Sequence, residues 1–317
     1  MVGAPSISRG SRPIFEGMDA DVTLDRRLNK QRLAPFLQRS DARGLAQALL
    51  QLGAIAASGV AVWFSRETWW LLLPAMLVHG ILLVSLFAAA HETIHRTAFK
   101  TRWLNQAMGW IAGAVLILPP DYFRAFHFAH HAHTGNPAAD PELAFPKPET
   151  RRAYLWHVSG IPYWIGQSKV TLTHALGRTP EAFITPRMAP RIVREARLLL
   201  ALYVALLAGS IALQTTALLW LWVVPALLGQ PFLRLYLLAE HWGCAEGRDM
   251  FANTRSTETN ALVRLLAWNM PYHVEHHAYP AVPFHALPAL HPLVRGEIVE
   301  LTPGYASLHR RLWRSLR

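Results

Sequence analysis

Residues Trp69–His95 read WWLLLPAMLVHGILLVSLFAAAHETIH. No side chain from Trp69 to Ala90 is charged, and as a helix the segment is long enough to cross the ~30 Å hydrocarbon core of a bilayer. It then runs without a break into His91-Glu92-Thr93-Ile94-His95. Histidines four residues apart lie on one helix face. The stretch therefore predicts a membrane helix that delivers two imidazoles together as it leaves the bilayer.

Upstream, Leu45–Phe64 is a second uncharged run, joined to the first by a short turn carrying Arg66 and Glu67. Trp63, Trp69 and Trp70 cluster there as an interfacial aromatic belt would. Residues 1–44 are polar, and Arg9 and Arg12 lack the adjacent apolar run of a signal peptide. They read as a cytosolic N-terminal tail. Downstream, Leu198–Leu233 holds no charge over 36 residues. That is too long for one span and reads as a hairpin bent at Gln214-Thr215-Thr216. Its second arm continues to Glu240-His241, which places His241 at a helix exit as His91 is placed. The expected spans are thus about 45–64, 69–90, 198–214 and 217–240.

Trp103–Leu118 is apolar but stops early at Pro119-Pro120. A crossing there would separate the first two histidine clusters across the membrane, so an interfacial or re-entrant helix is expected. Tyr154–Val170, with four aromatics and Pro162, is expected at the interface. In residues 296–317, Leu308, Leu312 and Leu316 alternate with Arg310, Arg311, Arg314 and Arg317, the pattern of a basic amphipathic helix lying on a membrane.

Charge orients these elements. Lys and Arg number eight before the first span, one in the first turn, 13 between His91 and Arg197, none at the hairpin bend and nine from Arg234 onward. The positive-inside rule puts both termini and all the histidine clusters in the cytoplasm, in a membrane such as a bacterial inner membrane. The fold class is all-α integral membrane, four transmembrane helices with a cytosolic helical cap. The net charge of +11 suits a surface facing anionic headgroups. Nucleic-acid binding is not indicated, because no basic stripe with interleaved aromatics is present.

Two further clusters repeat one spacing, His127-Phe128-Ala129-His130-His131 and His273-Val274-Glu275-His276-His277. With 16 histidines in 317 residues, an HxxHH pattern is expected roughly 0.04 times in such a chain, so two occurrences are not accidents of composition. The clusters supply eight imidazoles, His91, His95, His127, His130, His131, His273, His276 and His277, and His241 is a ninth. One metal ion cannot use so many, so two ions are implied. An all-imidazole set suits Fe, Zn or Cu without choosing among them. Glu92, Glu240 and Glu275, each beside a candidate ligand, and Asp140 are candidates to orient imidazoles from behind. His133 has drifted off the shared face and is left out. His79, His157, His174 and His309 are read as ordinary core or surface histidines.

Cys244 is the only cysteine, which excludes an internal disulfide framework, a four-cysteine iron–sulfur site and a zinc ribbon. No GxGxxG opens a helix, so no dinucleotide domain is built in. Electrons for a redox-active metal must come from another protein.

The order His91-Glu92-Thr93-Ile94-His95, His127-Phe128-Ala129-His130-His131, the single His241 and His273-Val274-Glu275-His276-His277 resembles the membrane fatty acid desaturase/hydroxylase superfamily. That superfamily includes acyl-lipid desaturases, lipid hydroxylases and carotenoid ketolases. Asn253-Thr254-Arg255-Ser256-Thr257 and the run from Trp268 to His291 add to the likeness, which covers roughly residues 45–295. The resemblance implies four transmembrane helices under a cytosolic cap, two irons, and O2-dependent attack on an unactivated C–H bond of a lipid-type substrate, by desaturation or hydroxylation, with a non-acyl substrate as the alternative. A separate ferredoxin- or cytochrome-type donor with its reductase is then expected. One departure is Leu237, where some acyl-CoA desaturases supply an Asn ligand one turn before the extra histidine. Two rival readings remain. His91-Glu92-Thr93-Ile94-His95 is also HExxH, as in zinc proteases, but that leaves both HxxHH clusters unexplained. A metal carrier would place ionisable groups along a mid-membrane path, whereas here the histidines gather at one face.

Overall fold

The structure is a computed structural model that describes residues 28–144 and 147–317. The first 27 residues of the expected tail lie outside the described residues. The protein is an all-α membrane protein with four helices long and apolar enough to cross a bilayer: α1 (Asp41–Phe64), α2 (Trp69–His95), α7 (Ala189–Ala212) and α8 (Leu219–His241). Between the two pairs come α3 (Arg102–Leu116), α4 (Pro120–His133), α5 (Arg151–Val158) and α6 (Ile161–Ala175). After α8 follow α9 (His273–Ala278), α10 (Leu287–Val294) and α11 (Tyr305–Ser315). The sheet is one parallel pair, β1 (Arg255–Thr257) with β2 (Glu300–Thr302), in the register Arg255 to Glu300.

Each spanning helix keeps large apolar side chains outward, among them Leu49, Val60, Phe64, Trp69, Val204 and Ile211. α7 starts nine residues before the expected boundary, because the helix carries Arg191, Arg194 and Arg197 in its first turns. The bend after it lies at Gln214-Thr215. Gln214 takes a positive φ of 49°, and Thr215 N–H returns to Ser210 O at 2.9 Å.

Helices α2 and α8, which carry His91 and His241, cross at two glycines. A Cβ on Gly80 would lie 2.0 Å from Pro225 O, and one on Gly229 would lie 2.2 Å from Gly80 O. Helix packing in lipid gains little from hydrophobicity and relies on such close backbone approach. The contact fixes the spacing between the two exits.

α3 is shorter than the four spans. At 15 residues it reaches only ~22 Å. Its last carbonyls have no helical partners and lie among the spans, where none may go unsatisfied. Tyr203 Oη–H of α7 donates to Ala114 O, Trp222 Nε1–H of α8 to Val115 O, Tyr163 Oη–H of α6 to Leu116 O and Gln167 Nε2–H to Ile117 O, at 2.7–3.2 Å. Pro120, in the first turn of α4 where its missing N–H costs nothing, then turns the chain back toward the histidines.

The C-terminal helix α11 differs from the expected membrane-lying helix. Leu308, Leu312 and Leu316 are buried, with Leu312 and Leu316 packed beside Tyr154 of α5 and Leu238 of α8. The apolar stripe is spent on the protein because those two helices present a matching apolar face.

Candidate metal centre

The nine histidines come from four elements. α2 ends on His91 and His95, α4 carries His127, His130 and His131 over its last two turns, α8 ends on His241, and α9 carries His273, His276 and His277. All nine meet in one cluster, and all but His131 and His241 are buried.

They sort into two groups. In the first, His91, His95, His127, His131 and His276 each bring one ring nitrogen within 4.8 Å of the others. His131 Nε2 lies 2.9 Å from His127 Nε2 and 3.1 Å from His276 Nε2. The second contains His130, His241 and His277 on the same criterion, with His273 Nε2 3.1 Å from His241 Nε2. His130 Nε2 is 3.2 Å from that same nitrogen. The groups adjoin where the rings of His131 and His277 stack, centroids 4.2 Å apart and 11° from parallel. Burial pushes His127, His131, His273, His276 and His277 well below the usual imidazole range. They stay neutral, the form that binds a metal. For His130 burial acts the same way, but the Glu142 and Asp140 carboxylates outweigh it and raise its pKa.

Residues 67–309, most of the chain, match the fatty acid desaturase family. The chain belongs to that family. It is 27% identical over 304 residues to a dihydrorhizobitoxine desaturase of Bradyrhizobium elkanii, covering 90% of this chain and 83% of that one. It is 25% identical over 279 residues to an sn-1 oleoyl-lipid 12-desaturase of Synechocystis sp., covering 80% and 76%. A sphingolipid delta(4)-desaturase/C4-monooxygenase of Rattus norvegicus is 25% identical over 280 residues, covering 83% and 78%.

The arrangement in this desaturase-family chain fits bound cations. A neutral imidazole nitrogen has a single in-plane site, for a proton or a lone pair. His131 Nε2 nevertheless faces two other Nε2 atoms, and so does His241 Nε2. His241 Nδ1 donates to Asn253 O at 3.2 Å, which leaves its Nε2 as a bare lone pair. Both ring nitrogens of His91, and Nε2 of His95 and of His277, are buried without a hydrogen-bond partner. Protons cannot satisfy this set, whereas metal ions between the nitrogens can.

Asp140 lies beside His130 at the edge of the cluster. It accepts from His130 Nδ1 at 2.9 Å and is itself fixed by the N–H groups of Gly135 and Glu142. Burial raises its pKa, but the His130 hydrogen bond outweighs that and holds it below the usual carboxylate range. Glu240 lies 3.4 Å from His273 Nδ1. Glu92 and Glu275 have other partners. Glu92 Oε2 accepts from Phe284 N–H at 3.2 Å. Glu275 accepts from Ser256 Oγ–H and pairs with His291 Nδ1. Adjacent residues on a helix point ~100° apart, so standing next to a ligand in sequence does not aim a carboxylate at it.

The segment 253–257 does work that its composition did not announce. Asn253 O holds His241, Ser256 Oγ also accepts from Val274 N–H at 3.0 Å, and Arg255 caps the end of α8 through Ala239 O and Trp242 O at 2.8 and 2.7 Å. The only signal in the sequence was its likeness to bacterial family members. Of the histidines set aside, His79 bonds Ser58 and Leu221 O, His174 bonds Glu181, and His309 bonds Tyr154 and Leu235 O. His133 is exposed.

Proposed function

We propose that the chain is an O2-dependent oxidoreductase that holds two iron ions and desaturates or hydroxylates an unactivated C–H bond of a lipid-type substrate. The observation that carries this reading is the convergence of nine imidazoles from four elements into two adjoining groups. His91, His95, His127, His131 and His276 would hold one ion, and His130, His241, His273 and His277 the other. When bound, the iron pair supplies activation of O2 and removal of hydrogen from carbon.

The rest falls to the protein. Asp140 and Asn253 O keep protons on Nδ1 of His130 and His241, so that Nε2 of each offers its lone pair inward. The ends of α2 and α8 form a rigid base, and α4 and α9 close over it. Burial of seven of the nine rings keeps bulk water from the reacting groups. One relative bears both a desaturase and a monooxygenase name, and the two outcomes diverge after a shared hydrogen removal. Which follows depends on substrate placement to within about an ångström.

The Lys and Arg distribution supports a cytoplasmic cap with both termini on the same side. Residues 45–295 would then form the catalytic membrane domain, fed by a separate ferredoxin- or cytochrome-type donor and its reductase. The zinc-protease reading loses its base, because fully buried Glu92 is turned to the Phe284 backbone.

Metal analysis of purified protein together with mass spectrometry of lipids from cells with and without it tests the proposal. Two irons per chain and a lipid that loses two hydrogens or gains an oxygen are expected. One zinc and an unchanged lipid profile would refute it.

A further inference from the structure

A second set of unpartnered buried groups lies apart from the histidines, between α8 and α6. Gln230 is fully buried, and its Nε2 has no hydrogen-bond partner among the described residues. One turn later, Arg234 donates its Nε–H to Gln230 Oε1 at 3.3 Å. Its guanidinium carbon lies 4.4 Å from the centre of the Tyr163 ring, and its Nη2 is buried without a partner. The arginine settles the orientation of the amide, since the flipped form would set NH2 against N–H. The two groups, already bonded to each other, thus leave two buried donor nitrogens, Gln230 Nε2 and Arg234 Nη2, without partners. Glu142 and Glu240 are within electrostatic reach of the guanidinium, yet neither bonds it.

Its placement gives the pair a use. Arg234 stands seven residues before His241 on the same helix, roughly 10 Å along the axis. Ionisable groups inside a span mark binding or transport more often than packing. Helix α6, which supplies the Tyr163 ring against Arg234, and its neighbour α5 expose Leu155, Trp156, Ile161 and Ile165, apolar side chains suited to hydrocarbon.

We propose that Gln230 and Arg234 form a subsite for an oxygen acceptor at the polar end of a lipid, a carboxylate, ester or phosphate. The proposal rests on the reading of the chain as acting on a lipid-type substrate. An acceptor held there sets the distance from the lipid's polar end to the histidine cluster, and so selects which carbon is presented.

The test uses the full-length, iron-loaded protein in detergent, melted with increasing dioleoylphosphatidylglycerol or sodium oleate. A ligand that binds the folded state raises the melting temperature with concentration. One of the two lipids is expected to do so for the wild type. A shift with phosphatidylglycerol alone assigns a phosphate or ester, and a shift with oleate alone a carboxylate. Gln230→Glu brings its own carboxylate oxygen to Arg234. It should keep the lipid-free melting temperature and the iron but weaken lipid binding by about tenfold or more, the scale of a charge-assisted contact. Arg234→Lys keeps the charge without the planar fork and should weaken binding less. Equal lipid affinity in wild type and Gln230→Glu, or no shift with either lipid, overturns the subsite. Should Gln230→Glu fail to fold, unchanged affinity in Arg234→Lys overturns it instead. Iron measured in the same samples keeps the readings apart: iron without a lipid response sinks the subsite alone, whereas absence of iron sinks the functional reading.

Discussion

At the scale of single residues, the Asp140–His130 contact decides whether the second histidine group can hold a cation. Asp140 is buried, accepts the Nδ1 proton of His130 and is braced by two backbone N–H groups. Asp140→Asn keeps the shape but can turn its NH2 toward Nδ1, which favours the wrong tautomer and directs a proton inward. Loss of such an outer partner typically costs 10–100-fold in metal affinity or activity. We expect about one iron per chain to be lost on dialysis against a weak chelator, with helical content by circular dichroism unchanged. Full iron retention would show that His130 needs no carboxylate. The buried imidazoles give a pH prediction of definite sign. His127, His131, His273, His276 and His277 are depressed below 6.5 when folded, so below that pH the unfolded chain binds more protons than the folded one. Stability of the metal-free protein is therefore complete above about pH 6.5 and falls as pH drops toward the folded values. His130 shifts the other way and offsets part of the effect. Melting of metal-free protein between pH 8 and pH 5 checks this, and a melting temperature that rises on acidification would contradict it.

At the scale of elements, the spacing of the histidines was legible because it is a helical period, and the helices it names are the ones that carry it. HxxxH at the end of α2 and HxxHH on α4 and α9 needed no tertiary information to be placed on single faces. The way the elements are held was not legible. Gly80 and Gly229 sit in apolar runs where a glycine attracts no attention, yet their backbones nearly touch. The caps on the end of α3 come from Tyr203, Trp222, Tyr163 and Gln167, residues 47–107 positions away in sequence. Glu275 looked like a partner for its neighbours and instead reaches Ser256 and His291, because burial, not adjacency, chose its direction. The glycine crossing supports a prediction. Gly80→Val inserts a branched side chain where even a Cβ would stand 2.0 Å from Pro225 O, so α2 and α8 must separate. Overpacking of this kind costs about 1–3 kcal/mol and sometimes more, and it moves His91 away from His241. A lowered melting temperature together with reduced iron is expected. Gly209→Val, on α7 where a Cβ meets nothing within 4 Å, should leave both unchanged and serves as the control.

At the scale of the whole molecule, the histidine cluster draws on every part of the chain except a source of electrons. With one cysteine and no dinucleotide fingerprint, the chain offers no built-in flavin, nicotinamide or iron–sulfur relay to reduce a metal pair. On the proposed function an external donor approaches the cluster, and His131 and His241 are its two partly exposed histidines. The same side of the membrane carries most of the Lys and Arg by the loop count, within a net charge of +11. A basic face attracts an acidic partner through a field that salt screens over ~10 Å at 0.1 M. Steering of this kind raises encounter rates more than it raises final affinity. Turnover with a subsaturating acidic ferredoxin should therefore fall steeply as ionic strength rises, while turnover at saturating donor changes little. NAD(P)H and O2 without a donor protein should give no product. Sustained turnover under those conditions would mean that a reductant enters by a route this chain does not reveal. Salt-independent turnover at low donor would mean that the basic face serves the membrane alone.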